Sequence, residues 1–288
     1  MKGYRGGMAM HDKVDVIGKG SVIQHGTYND RVYLMKLDEG DVDIIIPELS
    51  KLSKEKGYSK IFCKVPKYIA PLFFMDGYIL EGFIPKFFNN QDDVFFVSKF
   101  LSSDRLLNIE KKQLAILSDQ LVERAEKKRN LKKQAHGYSI RKLDKSDVEQ
   151  ITDIYREVFE TYPFPIHNPV YIQKTMQENV QYFGAEKDGK LAALSSSEID
   201  FKGQNAEMTD FATHPDHTGN NLSNLLLGQM EKQMKQQGIN TLYTIARLNS
   251  IPMNKTFLKN EYQYSGTLIK NTNIAGNIES MNVYYKQI

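Results

Sequence analysis

Only one cysteine stands in the 288 residues. Cys63 alone excludes an internal disulfide framework and any metal site built on several thiolates, and it fits a reducing compartment. Long apolar runs are missing too. The opening stretch "MKGYRGGMAMHDKVDV" has no apolar core of the kind a signal peptide needs. Nothing approaches the ~20 apolar residues of a membrane helix, so no membrane partner is expected. Charge of one sign is equally scarce. A formal net charge of +3 is too balanced for a nucleic-acid binder. His11, His25, His136, His167, His214 and His217 follow no ligand spacing, so no metal is expected. Neither G-x-G-x-x-G nor G-K-[ST] occurs, which removes the Rossmann and P-loop readings. What remains is 41% hydrophobic and 25% charged, an ordinary globular balance that predicts a sizeable core and fits a cytoplasmic protein.

From Ser102 to Lys133 the chain runs "SSDRLLNIEKKQLAILSDQLVERAEKKRNLKK". Leu107, Leu114, Leu117, Leu121 and Ala125 recur at helical spacing, and the segment ends in a basic cluster. "QAHGYS" then breaks the pattern. The expected organisation is a small α/β domain over residues 1–103, a connecting helix over 104–135, and a larger α/β domain over 136–288.

In the larger part the signals alternate. "YSIRKL" reads as a strand, with Asp144 capping a helix through Phe159. The proline-rich "YPFPIHNP" predicts a loop before a second helix at Tyr171 to Glu178. "YFGAEKDGKLAALSSSEID" reads as a hairpin turning at Asp188-Gly189, and "NAEMTDFAT" as a further strand. Leu222, Leu225, Leu226, Met230 and Met234 share one helix face, which stops at Gly238. "INTLYTIA" is a strand, Pro252 opens a short helix, and "EYQYSGTLI" and "ESMNVYYKQI" close the chain as strands. Mixed in this order, the elements make a layered α/β domain. The first part echoes the second. "LSKEKGYSKIFCKVPKYIAPLFFMDGYILEGFI" repeats the helix, Gly, strand, helix, strand order of "MEKQMKQQGINTLYTIARLNSIPMNKTFLKNEYQYSGTLI". "DDVFFVSKFL" then matches "SMNVYYKQI". The N-terminal part thus reads as half of the C-terminal fold without its Gly/Asn-rich turn, serving packing, a homodimer contact or closure over a substrate rather than chemistry.

That turn, "TGNNLS" (Thr218 to Ser223), enters the helix with small polar residues and no charge. Unpaired N–H groups and the macrodipole at a helix entrance suit a phosphate when side chains leave room. Gly219 permits close approach, Asn220 and Asn221 tolerate left-handed angles, and Thr218 and Ser223 bring hydroxyls. The same residues are also ordinary helix caps. Both readings stand on these residues alone.

The element order from Tyr138 to Ile288 resembles the GNAT superfamily of N-acetyltransferases, whose pyrophosphate loop is Q/R-x-x-G-x-G/A. "TGNNLS" takes that place, with Thr218 for Gln/Arg, Asn221 for the first Gly and Ser223 for the last Gly/Ala, between the flanks "FATHPDH" and "LLLGQMEKQ". More narrowly, "VFETYPFPIHNP", "EMTDFATHPD", "ESMNVYYK" and "GKGSVIQHGTYNDRVYLMKL" resemble the β-lysine N-acetyltransferases. The resemblance implies a GNAT-type mixed sheet flanked by helices, acetyl-CoA as cosubstrate, a small-molecule amine as acceptor, and Nε-acetyl-β-lysine, a compatible solute, as product. Other amines as acceptors, or a non-catalytic acyl-CoA-binding module, are the alternatives.

An alkyl ammonium at pH 7 must lose its proton at a cost of about 4.6 kcal/mol before it can attack, a gap a positioned base helps bridge. The resemblance places that base at Glu207, on the strand before the loop. Asp210, of opposite strand parity, is a second carboxylate for the base or for a substrate ammonium. The backbone of Phe211, Ala212 and Thr213 is implied as the oxyanion donor. Backbone and hydroxyls of Thr218, Gly219, Asn220, Asn221, Leu222 and Ser223 are implied for the pyrophosphate, and Asn249 or Ser250 for the pantetheine arm. Phe257 stands where the family carries a thiolate-protonating Tyr, leaving solvent, the departing ammonium, Tyr243 or Tyr264 for that proton. Tyr162, Phe164 and His167 in the acceptor loop, and Arg247 for a carboxylate, complete the substrate candidates.

Overall fold

A computed structural model describes residues 11–126, 137–274 and 276–288. The first half contains β1 (Lys13–Ile17), β2 (Ser21–Gly26), β3 (Arg31–Lys36), α1 (Val42–Lys56), β4 (Lys60–Pro66), α2 (Ala70–Met75), β5 (Ile79–Phe88) and β6 (Asp92–Phe100). α3 (Ser103–Leu107) and α4 (Lys111–Glu126) follow. The second half contains β7 (Ser139–Lys142), α5 (Val148–Val158), α6 (Pro169–Gln177), β8 (Val180–Lys187), β9 (Lys190–Asp200) and β10 (Asn205–Thr213). It continues with α7 (Leu222–Gln236), β11 (Thr241–Arg247), α8 (Ile251–Lys259), β12 (Gln263–Ile274) and β13 (Asn277–Gln287). No helix among the described residues is long and apolar enough to cross a membrane.

Local chemistry sets the boundaries. Asp144 and Asp147 form a reciprocal capping box ahead of α5. Asn168 caps α6 by accepting from Val170 N at 2.9 Å, with Pro169 opening the helix. Asp188 and Gly189 both take positive φ, 52° and 75°, the signature of a two-residue turn matched to strand twist. α7 buries Leu222, Leu226, Met230 and Met234, with Leu225 only partly covered and Leu227 also inside.

All strands join one sheet, ordered β1-β2-β3-β4-β6-β5-β12-β13-β11-β10-β9-β8-β7. The order β1-β2-β3-β4-β6-β5 is reproduced by β8-β9-β10-β11-β13-β12, and β3/β4 and β10/β11 are parallel. The internal echo therefore reaches further than half a fold: six of the second half's seven strands have counterparts. Each half has its own helix-covered core. Another cluster joins them, packing Phe62, Ile84 and Phe96 with Tyr243, Leu268 and Met281.

The segment between the halves departs from a single connecting helix. The chain breaks between α3 and α4, leaving Leu107 72% exposed while Leu117 is buried. Polar anchors impose the break. Arg105 on α3 donates to the carbonyls of Lys270 and Asn29, both at 2.9 Å or less, and Glu110 accepts from Ser280 Oγ at 2.6 Å. The basic cluster from Lys127 to Lys133 lies outside the described residues.

The halves meet where β5 pairs with β12 at Gly82 and Gly266. Gly266 has φ +156°, and a Cβ there would lie 2.0 Å from the Glu81 carbonyl oxygen. Gly266→Ala should therefore destabilise the protein by roughly 1–3 kcal/mol, because backbone must move. Gly228→Ala, in an open stretch of α7, should stabilise by roughly 0.5–1 kcal/mol. Thermal melts of both variants check the contrast; equal behaviour would mean the joint is not tightly packed.

Candidate active site

β10 and β11 share only three residue pairs, Asn205↔Thr241, Ala206↔Leu242 and Glu207↔Tyr243, before they part. Beyond them β10 bulges between Thr209 and Ala212, with Asp210 at φ +55°, an angle Asp tolerates better than most residues. β9 stays paired on the other edge, through Ala212↔Leu194 and Thr213↔Ala193. The edge of β10 that carries Phe211, Ala212 and Thr213 past Glu207 therefore has no strand partner on the β11 side.

Below this splay opens a cavity of about 670 Å³, lined from both halves of the sheet. The second half contributes Glu198, Glu207, Asp210, Tyr162 and Tyr243; the first contributes Arg31, Tyr33, Phe62 and Lys64. Gln24 of β2 closes one side by donating to the Pro163 carbonyl at 3.0 Å.

Glu207 faces Glu198 directly across the β10–β9 pair. Burial, then the charge of Glu198, pushes the Glu207 carboxyl up to about 8, against the opposing pull of Lys64 and the Tyr243 hydroxyl within hydrogen-bonding reach. Glu198 is raised as well, chiefly by burial. Asp210 is held differently. Ser196 Oγ donates to its Oδ2 at 2.5 Å, and the hydroxyls of Tyr162 and Thr209 donate to its Oδ1. Burial nevertheless raises its pKa. Strand parity alone turned Asp210 away from Glu207; the bulge resets the parity and brings both carboxyls to one cavity.

The helix entrance follows β10 in the chain; Phe211 lines the cavity, whereas Ala212, Thr213 and the turn from Thr218 to Ser223 lie outside its lining. Asn221 takes the left-handed conformation, φ 60°, and provides no side-chain cap to α7. Asn220 instead donates to the His217 carbonyl at 3.0 Å, and Thr218 Oγ1 to the Pro215 carbonyl at 2.9 Å. Gly219, at φ +81°, has nothing within 4 Å of where a Cβ would stand. The small polar residues thus fold the loop on itself and leave the first-turn N–H groups of Leu222 and Ser223 uncapped by side chains, an arrangement that fits an anionic diphosphate.

Other candidates stand less directly. Phe164 lines the cavity. His167 does not, because its Nε2 pairs with the Tyr155 carbonyl at 3.2 Å. Arg247 lines the cavity, but its fork is taken by Glu279, at 2.7 and 3.0 Å. Asn249 is exposed outside the lining, while Ser250 is in it. Phe257 packs edge-on against Phe211 at 5.6 Å. Of the two tyrosines considered for the thiolate, Tyr243 lines the cavity, whereas Tyr264 turns to Thr267 Oγ1 at 2.7 Å. Among the described residues no cluster of three or more His, Cys, Asp or Glu is placed for a metal ion. Sequence reasoning passed over Glu198, Arg31, Tyr33 and Lys64. For Glu198, Arg31 and Lys64 the signal available was a charge on a strand position, unusual where a strand is covered; Tyr33 carried none.

Residues 148–259 match the acetyltransferase (GNAT) family. Along the whole chain, the protein is 42% identical over 267 residues to a β-lysine N(6)-acetyltransferase of Methanococcus maripaludis, covering 92% of this chain and 96% of that one. It is 33% identical over 181 residues to a β-lysine N(6)-acetyltransferase of Methanosarcina mazei, covering 63% and 65%. It is 28% identical over 271 residues to the N-acetyltransferase YodP of Bacillus subtilis, covering 94% and 97%. With a likeness of that extent running through both halves of the sheet, the chain belongs to the GNAT family of acetyltransferases.

Proposed function

We propose that the protein acetylates the N6 amine of β-lysine with acetyl-CoA, giving Nε-acetyl-β-lysine, a compatible solute of the cytoplasm. The observation that carries this reading is the charge pattern of the cavity: three carboxyls gathered at the splay of β10 and β11, with Arg31 in the lining. Such a cavity suits a small zwitterion with more than one ammonium. The names of the Methanococcus and Methanosarcina relatives supply the acceptor.

Each residue then has a task. The thioester supplies the electrophilic carbonyl. The neutral amine forms the C–N bond, and collapse of the tetrahedral intermediate breaks the C–S bond. The released CoA thiolate takes its proton from solvent or from the ammonium formed by the attack. Amides at the entrance of α7 hold the diphosphate, and the open edge of β10 offers main-chain N–H groups to the developing oxyanion. Glu207, raised to about 8, takes the proton from the attacking ammonium. Glu198 holds the second ammonium, since Asp210 is engaged by Ser196, Tyr162 and Thr209. Asp210 thereby positions Tyr162 at the acceptor side.

Mass spectrometry of the product from β-lysine and acetyl-CoA should place the acetyl group on N6. Acetylation at the β-nitrogen, or turnover of a peptide lysine and not of β-lysine, would overturn the assignment.

A base whose free-enzyme pKa lies near 8 is neutral at pH 6 and charged above 8. The value of kcat/KM should therefore climb with pH to a midpoint near 8. Glu207→Gln should lose that limb and fall on the order of 100-fold at pH 8. A wild-type profile already flat from pH 6 to 8.5 would remove Glu207 from the role.

Ser223→Asp separates anion binding from helix stability. A negative charge in the first turn of α7 favours the helix itself but opposes a diphosphate, at roughly 1 kcal/mol per charge at 4 Å in water. The expected outcome is an unchanged or higher melting temperature together with a KM for acetyl-CoA raised about tenfold. An unchanged KM would place the diphosphate elsewhere.

A further inference from the structure

Several arginines and lysines of the molecule are buried or half-buried, and most are answered by a carboxylate. Arg247 is forked onto Glu279, Arg141 onto Asp147 and Glu186, Lys60 is paired with Glu81, and Arg105 lies 3.4 Å from Asp30. Arg31 differs. It is 3% exposed, it lines the cavity, and no carboxylate of the described residues comes within ion-pair distance.

Its hydrogen bonds leave the guanidinium half used. Nη1 donates to the Asn271 carbonyl and to Thr272 Oγ1, while Nε, fully buried, has no partner among the described residues. The plane is held by aromatic rings, 5.2 Å from the centroid of Tyr33 and 5.6 Å from that of Phe62. Burial lowers its pKa to about 10, so it keeps its charge at neutral pH. A buried, charged fork with unused donors is costly unless something anionic completes it.

Its place in the fold says what that anion belongs to. Tyr33 lies two residues along β3, roughly 7 Å away at strand spacing, and its hydroxyl feels the charge of Glu207. An amino acid whose terminal nitrogen lies at Glu207 carries its carboxylate away from that carboxyl, within the same lining that holds Arg31.

We infer that Arg31, from the half of the protein that carries no coenzyme loop, is the residue that binds the carboxylate of the acceptor and so selects an amino acid over a diamine. The inference rests on the proposed acetylation of β-lysine and deepens it. The N-terminal half then completes the acceptor site rather than merely supporting the fold.

The test compares kcat/KM for β-lysine with that for pentane-1,4-diamine, which has the same skeleton without the carboxyl group, in wild type and in Arg31→Gln. Removing a charge-assisted contact should shrink the preference for β-lysine between about 10- and 150-fold. An unchanged preference, with both substrates losing alike, would mean a structural role and overturn the inference. If wild type yields no acetyl-β-lysine at all, the functional reading fails first and takes the inference with it. Should Arg31→Gln fail to fold, a crystal structure of the wild-type protein with β-lysine decides. The carboxylate within hydrogen-bonding distance of the Arg31 guanidinium supports the assignment, and a carboxylate on Lys64 or Arg247 refutes it.

Discussion

A buried ammonium stays charged only if protein groups replace its water, and the junction of the two halves is built around one. Lys60, with no exposed surface, donates to Glu81 at 2.8 Å and to the Ile269 carbonyl at 2.7 Å. Glu81 in turn accepts from Ile269 N at 2.6 Å and from Ser98 Oγ. Burial lowers the Lys60 pKa to about 8, with Glu81 pulling the other way. Arg105 seizes the Lys270 carbonyl, Arg31 the Asn271 carbonyl, and Asn29 the Asn273 amide. The contacts that reach β12 fall on Ile269, Lys270, Asn271 and Asn273, within or next to its register shift between Leu268 and Thr272. Removing one partner of such a buried pair typically costs ~3–5 kcal/mol, so the halves have little freedom to separate. The cavity exists because this junction holds β2, β3 and β4 over the splay of β10 and β11.

The internal repetition gives a physical reason for proposing the coenzyme on one half only. α1 enters from the same place in the fold as α7, between parallel strands. Its entrance, however, carries Asp38, Glu39, Asp41 and Asp43. The Asp41 carboxylate accepts from Lys19 N at 2.7 Å and from Ser21 N and Oγ, the first of which contributes most to lowering its pKa. Four carboxylates around a helix start repel a diphosphate as surely as amides attract one. The first half instead lines the cavity with Arg31 and Tyr33 of β3 and Phe62 and Lys64 of β4. By strand register Tyr33 and Phe62 stand where Glu207 and Tyr243 stand in the other half.

Much of this was legible in the chain itself. The Asp188-Gly189 hairpin, the Asp144 cap, the Pro252 helix and the order of strands follow from turn and cap chemistry, which acts within a few residues. The repetition was readable too, because it preserves helix and strand lengths. Legibility stopped where the chain leaves its local rules. Asp210 was named as a candidate, but its facing was not legible, because a bulge formed by a residue other than Gly reverses parity without a sequence mark. Leu107 was assigned to a helix whose break is caused by Arg105 and Glu110 reaching segments some 170 residues away. Arg247 looked free in sequence because its partner Glu279 lies in another strand. Arg31 and Lys64 were overlooked because only the assembled sheet brings them into the cavity that holds Glu207.

The same closure decides the electrostatics. Burial raises all three carboxyls, and the charges of Glu198 and Asp210 raise Glu207 further while that of Asp210 raises Glu198, so the cavity resists carrying three negative charges on its own. A guest with two ammonium groups reverses that balance, since each cation stabilises the ionised form of the carboxyl beside it. On the proposed reading, binding and ionisation of Glu207 are therefore linked: the substrate that needs this carboxyl charged is the one that helps charge it. A guest with a single ammonium gives only part of that gain, and one whose carboxylate meets no cation loses it again to repulsion. On the proposed reading Arg31 discriminates against a diamine while the three carboxyls favour a second ammonium, so selectivity for a diamino acid draws on both halves of one sheet.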